Sequence, residues 1–121
     1  MSISITFNRT DKYLKVKITG KWVTDDALEV IDAIKKEADI QKVKHILLDL
    51  MELSRPASEI TRYYSGLKIA SAFDYSYKIA GYAQGEKINR FAENVAVNRG
   101  ANMKIFTCET DAVNWLQGML D

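Results

Sequence analysis

One cysteine, one proline and one histidine are all that these 121 residues contain of those types. A lone Cys108 cannot close an internal disulfide, so the fold does not depend on oxidative stapling. His45 has no metal-ligand or triad partner at a recognisable spacing, and a structural or surface role is expected for it. No apolar run approaches the about 20 residues that cross a bilayer, and no charged leader with an apolar core opens the chain. The chain therefore reads as soluble and cytoplasmic. It also lacks a dominant charge: 17 basic and 16 acidic residues leave a net +1. These charges are interspersed, which points away from nucleic acid as a partner. No cofactor or metal is implied.

Apolar residues are plentiful, at 47%. At this length they bury roughly two-thirds of the unfolded chain's surface, enough for one domain spanning residues 1–121. Ile3, Ile5 and Phe7 alternate with polar neighbours, as do Leu14, Val16 and Ile18 beyond the polar turn Arg9–Lys12. Period-two alternation on both sides of a turn predicts an antiparallel hairpin. Thr24 then reads as a helix N-cap, with Asp25 and Asp26 where negative charge complements the helix dipole. Ala27, Leu28, Ile31, Ile34 and Ala38 recur at helical spacing. The run Ile46–Leu50, interrupted only by Asp49, fits a central strand covered on both faces.

A turn over Met51–Pro56 leads to a second predicted helix, about Pro56 to Phe73, whose apolar members are Ile60, Tyr63, Tyr64, Leu67, Ile69, Ala70 and Phe73. Pro56 is placed at its start, where a missing N–H is harmless. Lys78–Ala83 is another strand. Glu86–Arg99 is a third helix with Ile88, Phe91, Ala92, Val95 and Ala96 inward and Gly100 as its C-terminal stop. Met103–Phe106 is the last strand, and Thr107 caps a final helix with Ala112, Val113, Leu116, Met119 and Leu120 inward. The order is β-β-α-β-α-β-α-β-α. It implies an α/β fold with a mostly parallel sheet and one antiparallel edge.

This order resembles the STAS domain, and within it the SpoIIAA-like branch, grouped with Sec14-type lipid-binding folds. Three stretches carry the resemblance: Val16-Lys-Ile-Thr-Gly20, Ile46-Leu-Leu-Asp-Leu-Met-Glu-Leu-Ser54, and Ile105-Phe-Thr-Cys-Glu-Thr-Asp-Ala-Val-Asn-Trp-Leu116. In anti-sigma factor antagonists of that family, the turn after the central strand carries Asp-Ser-Ser-Gly, whose serine is phosphorylated by a kinase that is also the anti-sigma factor. The resemblance places that serine on Ser58. Here the stretch reads Ala57-Ser-Glu-Ile60, without the aspartate, the second serine and the glycine. It also implies a protein partner at a surface made of Ser54, Arg55, Ser58, Glu59 and Arg62.

Each candidate residue also has an ordinary role. Ser54 and Ser58 are helix-capping types. Asp49 must be met by backbone or by Arg55, because a carboxylate inside an apolar strand is paired. Cys108 falls in the first turn of the last helix with no base beside it, which leaves it passive. Tyrosines are more numerous than a small core can use, because each hydroxyl needs water or a partner. Tyr63, Tyr64, Leu67, Phe73, Tyr82 and Phe91 therefore read as core rim, as a homodimer patch, or as the lining of an apolar ligand pocket beneath the second and third helices. Two functions follow: a regulatory protein-binding module gated at Ser58, or a carrier or sensor of a small apolar, lipid-like molecule, with peripheral membrane association as a variant. No convergent set of titratable groups is placed by spacing, so the expectation is not an enzyme.

Overall fold

Ile3–Arg9 (β1) and Leu14–Trp22 (β2) pair antiparallel, from Ile3 opposite Gly20 to Arg9 opposite Leu14. The turn between them is closed by Thr10, whose N–H donates to the Tyr13 carbonyl at 2.9 Å and whose hydroxyl accepts from the Tyr13 N–H at 3.1 Å. The computed structural model describes residues 3–56, 58–87 and 89–119. Beyond the hairpin run Thr24–Ile40 (α1), His45–Asp49 (β3), Leu53–Pro56 (β4), Glu59–Ala72 (α2), Lys78–Tyr82 (β5), a 3-10 turn at Gly85–Lys87, Phe91–Asn98 (α3), Asn102–Phe106 (β6) and Glu109–Leu116 (α4). The sheet is ordered β1-β2-β3-β5-β6, and every pairing except β1 with β2 is parallel. The mostly parallel sheet with an antiparallel edge and four helices is the architecture expected from the sequence.

Strand alternation decides which side chains meet which helices. Ile18, Ile46, Leu48, Ile79, Met103 and Ile105 share the face covered by α1, α2 and α3. Leu47, Ala80 and Tyr82 point the other way and pack on Ala112 and Leu116 of α4. β3 is buried on both faces, as its unbroken apolar run requires.

β4 corrects the sequence reading, which made Met51–Pro56 a turn. After β3 leaves β2 at Lys17, the chain bends outward and returns to the same edge of β2, with Leu53 opposite Gly20 and Pro56 opposite Trp22. Burial of Leu53 draws the segment back onto the sheet. Pro56 therefore ends a strand, a position that tolerates a missing N–H, and does not start a helix. α2 begins three residues later, with Ser58 as its N-cap.

Other boundaries move for local reasons. Val23 caps α1, and Thr24 turns its hydroxyl to Thr61 at 2.9 Å. α3 is shorter than expected because the 3-10 turn takes the residues before it. Cys108, rather than Thr107, sits at the N-cap of α4. Met119 is exposed, while Ile88 and Leu120, both expected inside, lie outside the described residues. No helix among the described residues is long and apolar enough to cross a membrane.

The largest correction concerns the face of α2. Its buried residues are Thr61, Ser65, Gly66 and Ile69, whereas Ile60 and Tyr64 are exposed. The helix is held against α3 at Gly66, where only a glycine admits the carbonyl of Ala92. That contact fixes its rotation and turns the small hydroxyl residues Thr61 and Ser65 inward.

Candidate functional site

Thr61, Ser65 and Ile69 lie one helical turn apart on a single face of α2. Ser65 and Ile69 line the space beneath α2, while the Thr61 hydroxyl meets that of Thr24 on α1. Free space of about 150 Å³ remains between this face, the α1 side chains Ala27, Val30, Ile31 and Ile34, and the sheet. Ile18, Ile46, Leu48, Ile79 and Ile105 make the floor, and Phe73 closes one end. The walls of this space are mostly aliphatic and aromatic, and its size matches apolar molecules about as large as benzene.

Polar residues gather where the cavity opens. Its exposed lining residues are Ser54 and Arg55 of β4 together with Asn89 and Arg90 before α3. Trp22 and Arg62 stand beside them. The Trp22 indole N–H donates to the Ser65 hydroxyl at 3.0 Å, and Ser65 donates onward to the Thr61 carbonyl at 2.7 Å. The Arg62 guanidinium lies 5.7 Å from the centre of the Trp22 ring, in cation–π range, and donates to the Glu59 carboxylate. Glu59 also accepts from Asn89 Nδ2 at 3.2 Å, tying the first turn of α2 to the loop before α3. Asn89 in turn accepts from the Phe91 N–H through Oδ1 at 3.0 Å. Arg55 donates to the Glu86 carbonyl at 2.9 Å.

On the far side of the opening, Arg90 adopts a left-handed backbone, φ 61°, at the N-cap of α3. This turns its guanidinium onto buried Glu93, 3.0 Å from both carboxylate oxygens, and onto the Ile105 carbonyl at 2.9 Å. Glu93 Oε2 accepts the Ile105 N–H at 2.8 Å. The pair thereby occupies both outward backbone groups of one residue in the edge strand β6. Among the described residues, no buried side-chain nitrogen or oxygen lacks a partner.

The residues singled out in the sequence fall in several places. Ser58 is exposed at the N-cap of α2, with no capping bond from its side chain and its hydroxyl 3.5 Å from that of Thr61. It occupies the capping position without capping. Ser54 accepts the Trp22 N–H at 3.3 Å and donates to the Arg55 carbonyl. Of the expected partner surface, Ser54, Arg55 and Arg62 line the cavity opening and Glu59 is joined to it through Arg62 and Asn89, whereas Ser58 lies outside the lining. Asp49 is met by the Met51 N–H at 3.1 Å, which is the backbone solution. His45 is exposed, and partial desolvation, aided by the Lys78 charge, lowers its pKa below the ordinary histidine value. Cys108 is an exposed free thiol.

The aromatic set does not form one patch. Phe73 lines the cavity and packs edge-on against Tyr77 at 5.3 Å. Tyr63 and Tyr64 stack edge-on at 5.5 Å on the outer side of α2, where Tyr64 and Leu67 border a shallow groove with Leu28 and Arg99. Tyr82 is buried on the opposite face of the sheet, under α4. Phe91 is exposed at the start of α3. Sequence reasoning missed Trp22, Arg90, Glu93 and the small face of α2. The available signals were the Thr61, Ser65, Ile69 spacing and an arginine three residues before a glutamate in an otherwise apolar stripe.

Among the described residues no group of histidine, cysteine, aspartate and glutamate side chains is arranged to hold a metal ion. No protein-family model matches the chain, and no curated protein sequence matches it. Solved structures do. An anti-sigma factor antagonist from Mycobacterium paratuberculosis superposes with a TM-score of 0.66 at 15% identity, over 96% of this chain and 95% of that one. An uncharacterized protein of the DUF3478 family with a SpoIIAA-like fold, from Shewanella loihica, gives 0.57 at 25% identity over 95% and 93%. The anti-sigma factor antagonist SpoIIAA in its unphosphorylated form gives 0.57 at 14% identity over 98% and 100%. These likenesses are likenesses of fold: the chain is a SpoIIAA-like, STAS-type domain in architecture.

Proposed function

We propose that this SpoIIAA-like domain is a regulatory module without catalytic chemistry of its own, and that it senses a small apolar molecule held between α2 and the sheet. The cavity carries this reading. Free space of about 150 Å³ inside a core forfeits about 3–4 kcal/mol of stability relative to a filled one. A small apolar molecule in that space restores the lost contacts and links its own binding to the stability of the fold. α2 transmits occupancy outward, because one side of it roofs the cavity and its first turn carries the surface of Ser58, Glu59 and Arg62. Cavity-facing charge consists of arginines and a glutamate already bound to Arg90 and Ile105, an arrangement suited to holding and orienting rather than to proton transfer.

Native mass spectrometry of the chain, isolated gently from its own cells, is expected to show a small non-covalent adduct. Ala27→Leu and Ala83→Val, which fill the cavity from two sides, are expected to lose that adduct while keeping the melting temperature at or above that of the parent. A bare parent whose melting temperature does not move with benzene, indole or hexanol overturns the reading.

A second reading is favoured by Ser58, an exposed hydroxyl at the N-terminus of a 14-residue helix with no capping bond to give up. The helix dipole and the free N–H groups of that turn favour a phosphate there. In this reading a kinase or anti-sigma-type partner docks on Ser54, Arg55, Ser58, Glu59 and Arg62. Intact-mass analysis from the native cells is expected to show a phosphate that Ser58→Ala removes. A phosphate that survives the substitution, or a chain never phosphorylated, overturns it.

A further inference from the structure

The cavity opening already holds a carboxylate. Glu59, a residue outside the lining, brings its carboxylate to two residues of the lining, accepting from Arg62 Nη1 and from Asn89 Nδ2. The two partners of the ion pair differ in setting: the Arg62 side chain is 11% exposed and the Glu59 side chain 62%. The guanidinium is therefore held in place beside Trp22, while the carboxylate is the solvent-facing member of the pair and the one that can be exchanged for another carboxylate. The charged residues of the lining are Arg55, Arg62, Arg90 and Glu93. Glu93 offsets Arg90 and Glu59 offsets Arg62, so the Arg62 guanidinium is a cation that already holds a carboxylate, with the Arg55 charge beside it.

Building on the reading that the cavity takes an apolar molecule, we propose that its ligand is a small carboxylate with an apolar tail of about six to eight carbons, the size that a space admitting benzene accepts when part of the tail remains in the opening. The tail lies between α2 and the floor of isoleucines. The carboxylate replaces that of Glu59 on Arg62 and Asn89. Arg62 presents a planar fork and Asn89 an amide N–H, a donor set that the structure shows gripping a carboxylate, and a charge-assisted pair of this kind is about twice as strong as a neutral one. Binding frees Glu59 and unties α2 from the loop before α3, so the ligand's head changes the protein's outer surface beside Ser58.

Calorimetric titration with octanoate, octanamide and dodecanoate tests this. Octanoate is expected to bind about tenfold or more tightly than the isosteric neutral octanamide. Arg62→Met is expected to weaken octanoate about tenfold and octanamide much less, which removes the preference. Should Arg62→Met fail to fold, Glu59→Gln serves as the second variant and is expected to tighten octanoate several-fold by removing the internal competitor. Equal binding of octanoate and octanamide overturns the carboxylate proposal while leaving an apolar-ligand site intact. Tenfold tighter binding of dodecanoate overturns the assigned tail length. Binding of none of the three overturns the proposal, and the apolar-ligand reading falls with it if benzene, indole and hexanol also leave the melting temperature unmoved.

Discussion

Gly66 of α2 faces the main-chain carbonyl of Ala92 in α3 so closely that a Cβ built on it would stand 2.6 Å from that oxygen and 2.8 Å from Val95 Cβ. The obstacle is backbone, which cannot rotate away. Gly66→Ala is expected to push the helices apart and destabilise the fold by about 1–3 kcal/mol, read as a lower urea midpoint. Gly81→Ala is the control. Its Cβ would meet the Ile105 Cδ1 at 2.8 Å, the movable end of a side chain beside free space, so the loss is expected to stay under about 1 kcal/mol.

Glu93→Ala removes the acceptor of the Ile105 N–H and leaves Arg90 without its carboxylate. The orphaned donor is expected to cost about 1–3 kcal/mol, and the Ile105 amide should exchange with deuterium faster than its neighbours in β6. Glu93→Gln keeps an oxygen in place and should lose less. Equal exchange rates in parent and Glu93→Ala would show that the contact does not protect the strand.

Alkaline pH should loosen the molecule in a defined window. Burial pushes the Tyr82 hydroxyl up to about 12 from 10.0, and the hydrogen bond to Glu109 chiefly lifts Lys15 from 10.5 to about 12. Between the unfolded and folded values the folded chain keeps protons that the unfolded chain has lost. Stability is therefore full below pH about 10 and declines as pH rises toward about 12. Tyr82→Phe should flatten that decline, measured by urea midpoints across the range. A midpoint independent of pH there would contradict the assigned environments.

Ser65→Ala deprives the Trp22 indole N–H of its acceptor, which lies 3.0 Å away. The expected loss is about 1–2 kcal/mol. In a Trp115→Phe background, which leaves Trp22 as the sole indole, the emission maximum should shift as the ring leaves its anchor. Unchanged emission would show that Arg62, rather than Ser65, holds the ring.

Legibility from sequence followed the physics of each element. The hairpin and α1 were readable because one face of each is buried, which writes a period into the residues, and β3 because burial on both faces writes an unbroken apolar run. β4 was not readable, since four residues held to β2 by backbone pairing and one buried leucine leave no period to detect. The rotation of α2 was misread for a different reason. Its large residues Ile60 and Tyr64 suggested an inward stripe, but the contact at Gly66 outweighs them and turns Thr61 and Ser65 inward. The cavity arises from that rotation, so it was hidden with it. The tyrosines were visible in number but not in place, because an aromatic count does not say which face of a sheet Tyr82 occupies.

The clasp of Arg90 and Glu93 on Ile105 also bears on how copies of this chain can associate. A sheet whose terminal strands are both open can recruit neighbours at each end and propagate into a filament. Here β6 is spent on its own helix at Ile105, leaving β1 as the other terminal strand. Growth by edge-to-edge addition that proceeds from one end alone terminates at a closed pair, so the same two side chains that border the cavity also act against polymerisation.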